Sequence, residues 1–178
     1  MPNIATTQVY PPIPGQALDT IIAVLSRERL MSIAVNRPDG WPQVSTVGYV
    51  NDGLNLFFVT GRESQKLTNI AADSRVSVAI RSSAEHGAFG VSMAARAHEV
   101  NDNAVADRVN KLVWARRTPD GVSCPATSSV AIIQLVPELV CDIRAVDGRS
   151  HTECFSLGDT GRPSRDGSGI ASAEAHLF

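Results

Sequence analysis

Thr60, Ser64 and Lys66 fall close together in the run Thr60-Gly61-Arg62-Glu63-Ser64-Gln65-Lys66. The run follows an apolar stretch that ends at Val59. It precedes Leu67, Ile70 and Ala71, which share one side of a short helix. A strand therefore ends in a hydroxyl, a glycine loosens the backbone, and a helix starts at a serine suited to capping it. A helix start presents unpaired N–H groups and the positive end of the peptide dipoles, so it favours an anion such as a phosphate. The hydroxyls of Thr60 and Ser64 and the ammonium of Lys66 add donors and charge.

Other chemistries find little support. The histidines His86, His98, His151 and His176 form neither an HExxH site nor a close metal pair, so no metal ligands are assigned. No GxSxG elbow, Walker loop or GxGxxG occurs, and no acid/base constellation marks a catalytic residue. A net charge of −2 argues against a general nucleic-acid binder. No stretch is long and apolar enough to span a bilayer. Cys124, Cys141 and Cys154 are odd in number and include no CxxC pair. They read as small hydrophobes in a reduced, cytoplasmic protein without a disulfide framework.

The elements around the run are short. Residues 1–14 form a polar, then proline-rich arm. Leu18, Ile21, Ile22 and Leu25 make the apolar stripe of a helix over 15–28. Strands are expected at 30–36, 43–50, 54–59, 75–81, 89–100 and 129–145, with helices at 64–72 and 102–117. Pro38, Asp39 and Gly40 make one turn, Asn51, Asp52 and Gly53 a hairpin, and 118–121 another turn. Pro137 predicts a bulge or an edge position, because proline cannot donate to a ladder. Gly48 inside a strand marks a bulge or a place of close approach. Trp41 and Trp114 read as packing residues. Glycine, serine, arginine and aspartate dominate 147–178, which reads as disordered or packed on another surface. Tight turns imply antiparallel pairing. The expectation is a mainly β (α+β) domain over 15–146: an antiparallel barrel or sheet with a few short helices.

Several stretches resemble the pyridoxamine 5′-phosphate oxidase-like superfamily of FMN-binding split barrels. They are Asp39-Gly40-Trp41-Pro42, Val47-Gly48-Tyr49-Val50, Phe58-Val59-Thr60, Ser64-Gln65-Lys66-Leu67-Thr68-Asn69-Ile70, Ser74-Arg75-Val76-Ser77-Val78 and Leu135-Val136-Pro137-Glu138-Leu139-Val140. The resemblance implies a six-stranded antiparallel split β-barrel and a homodimer with two cofactor sites at its interface. It implies FMN held at its phosphate by Thr60, Ser64 and Lys66, beside Val59 and Gln65. The backbone of Ser45, Thr46 and Val47 would meet the isoalloxazine edge, with room made by Gly48. The name-giving oxidase has cationic residues where this chain has Ser45, Val50 and Gln65. Arg62 and Arg81 are the candidate replacements. That difference points away from pyridoxal-phosphate synthesis, toward another FMN-dependent oxidoreductase acting on a small organic substrate. The alternatives are an F420-dependent reductase of the same fold and a non-catalytic flavin- or haem-binding protein.

Overall fold

The computed structural model describes residues 9–84, 87–115, 129–146, 149–157 and 173–175. Helix α1 (Gly15–Arg27) buries Ile21, Val24 and Leu25, a one-sided apolar stripe. Strand β1 (Leu30–Asn36) buries Met31, Ile33 and Val35 in alternation. It is followed by β2 (Pro42–Gly48), β3 (Val50–Asp52) and β4 (Asn55–Gly61). Gly40 and Gly53 take positive φ, 84° and 59°, in the two turns where the sequence calls for it. Helix α2 (Gln65–Ala72) leads to β5 (Arg75–Ala84) and β6 (Gly87–Glu99). Helix α3 (Asn103–Ala115) precedes β7 (Val130–Val146), β8 (Arg149–Ser156) and β9 (Ala173–Ala175).

The strands form one antiparallel sheet in the order β2-β1-β5-β6-β7-β4-β3, with β8 added on β7 and β9 on β8. β2 and β3 stand at opposite ends of that order, yet only Tyr49 separates them in the chain. Two ends so closely tethered oblige the sheet to curl into a half-barrel. The expected unbroken strand over 43–50 is therefore corrected: it bends after Gly48. Tyr49 holds the bend, its N–H donating to the Arg29 carbonyl at 3.1 Å and its hydroxyl to the buried Leu25 carbonyl at 2.9 Å. A Cβ on Gly48 would lie 3.9 Å from the Arg29 oxygen, an ordinary contact, so crowding does not demand glycine there.

Inward side chains of the sheet and of α1 make the main core, in which Ile33, Leu56, Phe58, Ile133 and Leu135 are fully buried. A second cluster joins Val50, Phe57 and Ile132 to Val105, Val109, Leu112 and Val113 of α3. The bulge expected near Pro137 is present: the β6–β7 register shifts between Ala94 and Ala95, opposite Leu139 and Pro137.

Two readings of the C-terminal part change. Residues 149–156 and 173–175, in the stretch that composition marks as disordered, extend the sheet as β8 and β9. Cys141 and Cys154, expected as unpaired thiols, are direct neighbours across β7 and β8 and form a disulfide. An odd cysteine count hid this pair, because pairing depends on strand register. The expected turn at 118–121, and Cys124, His86, His176, Arg116 and Arg117, lie outside the described residues, as does the Trp114 side chain. No helix among the described residues is long and apolar enough to cross a membrane.

Candidate functional site

The corner between β4 and α2 is built as its residues suggest. β4 leaves the sheet at Gly61, and the Ser64 N–H donates to the Gly61 carbonyl at 3.1 Å, closing the turn. Ser64 caps α2: its Oγ accepts from the Leu67 N–H at 3.3 Å. The same oxygen lies 3.0 Å from Thr60 Oγ1. Two hydroxyls that share one hydrogen bond leave one O–H proton free to donate.

Lys66 completes the corner. It is half-buried, its ammonium lies 5.6 Å from the centre of the Phe58 ring, and no carboxylate among the described residues pairs with it. Burial pushes its pKa below the ordinary lysine range, since desolvation penalises the charged form. A cation held against a ring, without a counter-ion, is disposed to take an external anion.

Gln65 faces the other way and starts a relay that the sequence reading missed. Its amide donates to Asn69 Oδ1 at 3.0 Å, and Asn69 Nδ2 donates to Gln43 Oε1 on β2 at 3.1 Å. Asn69 is 0 % exposed, so this relay fixes α2 against β2 at a cost if broken. The signal was present: Gln65 and Asn69 stand four residues apart, the spacing that meets on one helix face. Ala71, expected on the buried face, is exposed, and Asn69 and Ile70 are buried instead. A cleft of about 490 Å³ lies here, between Gln43, Gln65, Asn69 and the turn of Arg37, Pro38 and Asp39.

β2 carries the remaining predicted residues. It pairs with β1 on one side, and its other edge has no partner strand among the described residues. Backbone groups alternate along an edge strand: with Arg37–Trp41 and Arg29–Tyr49 hydrogen-bonded, those of Ser45 and Val47 turn to β1, and of the three predicted residues only Thr46 turns its N–H and C=O to the free edge. Ser45 and Val47 are half-buried, while Thr46 and Gly48 are exposed. Thr46 reaches a second cleft, of about 410 Å³, with Ser32, Ala79, Gly90 and Arg81. Gln43 and Thr46 are three residues apart, an odd spacing that turns their side chains to opposite faces of β2, so the two clefts lie on opposite sides of the sheet.

The two candidate arginines part company. Arg62 is held in an ion pair with Glu99 at 2.9 Å and so is turned to a protein carboxylate. Arg81 is exposed in the second cleft. Val59 packs its side chain toward the α3 cluster, leaving only its backbone for a ligand. Trp41, expected as a packing residue, is 73 % exposed beside the first cleft, and Val44 is 65 % exposed. No group of three potential metal ligands exists among the described residues.

The sequence profile of the pyridoxamine 5′-phosphate oxidase family matches residues 17–140, from α1 to the middle of β7. The chain belongs to this family. A search of curated proteins finds no match. Among solved structures, a conserved hypothetical protein from Mycobacterium tuberculosis is 23% identical, with a TM-score of 0.59 over 92% of this chain and 98% of that one. An FAD-binding protein from Mesorhizobium loti is 18% identical, with a TM-score of 0.58 over 75% and 96%. The haem storage protein HutZ from Vibrio cholerae is 18% identical, with a TM-score of 0.56 over 67% and 89%. At these identities the likeness is one of fold. Within it, this family member has a half-buried cation and a hydroxyl pair at the start of α2 and an unpartnered strand edge at β2 among the described residues; neither of the two clefts beside β2 is lined by Thr60, Ser64 or Lys66.

Proposed function

We propose that the protein is an FMN-dependent oxidoreductase acting on a small organic substrate, working as a homodimer with the cofactor at the seam. The observation that carries this reading is Lys66, half-buried at the start of α2 with no carboxylate partner among the described residues. Lys66 and the Thr60–Ser64 pair would hold the phosphate. The unpaired edge of β2 would donate to, and accept from, the ring margin, with Arg81 near its far end. When bound, FMN supplies the hydride and electron chemistry; the protein contributes position and hydrogen bonds. That division of labour agrees with a site that has no acid/base constellation. The exposed Trp41, Val44 and Leu30 along β1 and β2 suit cover by a second protomer, which would shield the ring from water.

The FAD-binding and haem-storing relatives make spectroscopy the deciding measurement. The protein is mixed with FMN, freed of excess by gel filtration, and its visible spectrum recorded. Flavin bands that travel with a dimer, and bleach on adding a reduced nicotinamide, are expected. A Soret band with added haem and no retained flavin would overturn the reading. Flavin that stays bound but is reduced by no donor would make the protein a carrier.

A further inference from the structure

A cavity of about 720 Å³ lies away from the β4–α2 corner. Its walls are the N-terminal arm (Pro11, Pro12), the start of α1, Phe89 of β6, and Cys154 and Phe155 of β8. β8 forms one side of this wall. Along one edge it pairs with β7; along the other, among the described residues, it pairs with the three residues of β9 at Ser150, His151 and Thr152 and bridges to Pro12 at Ser156. The arm hangs on the end of β8: the Ser156 N–H donates to the Pro11 carbonyl at 2.9 Å, and Ser156 Oγ donates to the Tyr10 carbonyl at 2.9 Å. The Cys141–Cys154 disulfide clips β8 to β7 at the cavity.

The fold does not need that bond to set its register. Eight residue pairs from Leu139–Ser156 to Val146–Arg149 already align the two strands, and the disulfide closes a sequence separation of only 13. Both cysteines are half-buried rather than sealed in the core, and Cys154 itself lines the open cavity. Accessibility and a nearby resolving partner are what a thiol-exchange site requires.

We propose that Cys141 and Cys154 form a reversible dithiol–disulfide site that sets the wall of this cavity. A dithiol reductant enters by the cavity, and its thiolate attacks the sulfur of Cys154. A mixed disulfide forms and the Cys141 sulfur leaves as a thiolate, which takes a proton. The second thiol of the reductant then resolves the mixed disulfide, releasing Cys154 as a thiol. Two electrons and two protons pass to the protein, and the reductant leaves as its own disulfide. In the dithiol form β8 and the arm it carries open more often, so the cavity admits apolar molecules that the disulfide form excludes.

The test uses the full-length protein without denaturant, treated with dithiothreitol, alkylated with iodoacetamide and mapped by mass spectrometry. Alkylation of Cys141 and Cys154, reversed by reoxidation, is expected. Hydrogen exchange of the 149–156 amides should then quicken by about tenfold or more, the scale for losing a short cross-link in a locally opening strand. Fluorescence of 1-anilinonaphthalene-8-sulfonate should rise in parallel. The Cys154→Ser variant should match the reduced protein in both readouts. Cysteines alkylated only after denaturation would overturn the proposal. So would a reduced protein whose β8 exchange and dye binding equal those of the oxidised one.

Discussion

The β4–α2 corner and the β7–β8 end use their charges in opposite ways. At the corner, Lys66 is half-buried with a ring for company and no counter-ion among the described residues. At the other end, Arg144 also lies by a ring, 5.9 Å from the centre of Phe89, but it is tied to Asp142, a carboxylate only 1 % exposed. One cation has no carboxylate beside it among the described residues; the other is paired with a buried carboxylate. Similar local furniture thus separates the proposed binding site from a structural contact, and the partner of the cation is the difference between them.

Breaking each cation should therefore damage a different property. Arg144→Ala leaves Asp142 buried and alone, and is expected to cost about 2–4 kcal/mol of stability in urea unfolding, with FMN affinity unchanged. Adding Asp142→Asn should recover part of that loss, because the orphaned charge is gone. Lys66→Ala should do the reverse. It should weaken FMN binding by about 1.5–3 kcal/mol in a fluorescence titration, the range for a hydrogen bond to a charged group, without lowering the melting temperature. An Asn69→Leu exchange sits between the two. It removes the relay from Gln65 to Gln43, and about 1 kcal/mol should vanish from both stability and FMN affinity.

The pH dependence gives the finest contrast. The pKa of Lys66 is lowered in the folded protein, so over the window between its folded and unfolded values the unfolded chain holds the extra proton. Stability of the ligand-free protein should rise with pH across that window, as the burden of a desolvated charge is removed. FMN affinity should fall over the same window, measured by titration at each pH. Both slopes should disappear in Lys66→Met. At the end of α2, Asp73 behaves in the usual acidic sense. Side-chain hydrogen bonds from Arg75 above all, then the Arg75 N–H and Asn36, hold its carboxyl well below the normal range. Its contribution is present at neutral pH and is lost only in strong acid, as pH falls through the folded value.

Local chemistry was readable in the sequence wherever neighbours in the chain are neighbours in space. The Ser64 cap, the Gly40 and Gly53 turns and the strand alternation of β1 and β5 follow from residue type and period. The meeting of Thr60 with Ser64 follows from one strand end turning into one helix start. What escaped depends on partners far along the chain. Gln43 meets Asn69 because α2 folds back on β2, and Arg62 is lost to Glu99 across the sheet. The pairing of Cys141 with Cys154 required knowing that residues 149–156 are a strand at all. Their serine, histidine and threonine content suggested otherwise, and burial of Phe155 against β7 overrode it.

The long strand β7 meets three others: β6 along its length, β4 at its first half and β8 at its second. Leu56 of β4, for example, lies opposite Leu135. During synthesis on the ribosome, then, the first hundred residues emerge with β4 and β6 lacking the strand that belongs between them. Their apolar edges stay bare until Val130–Val146 is released. Pairings of such long sequence separation form slowly and expose the nascent chain to aggregation. A stop codon before β7 should yield no smaller folded version of this protein, only insoluble product.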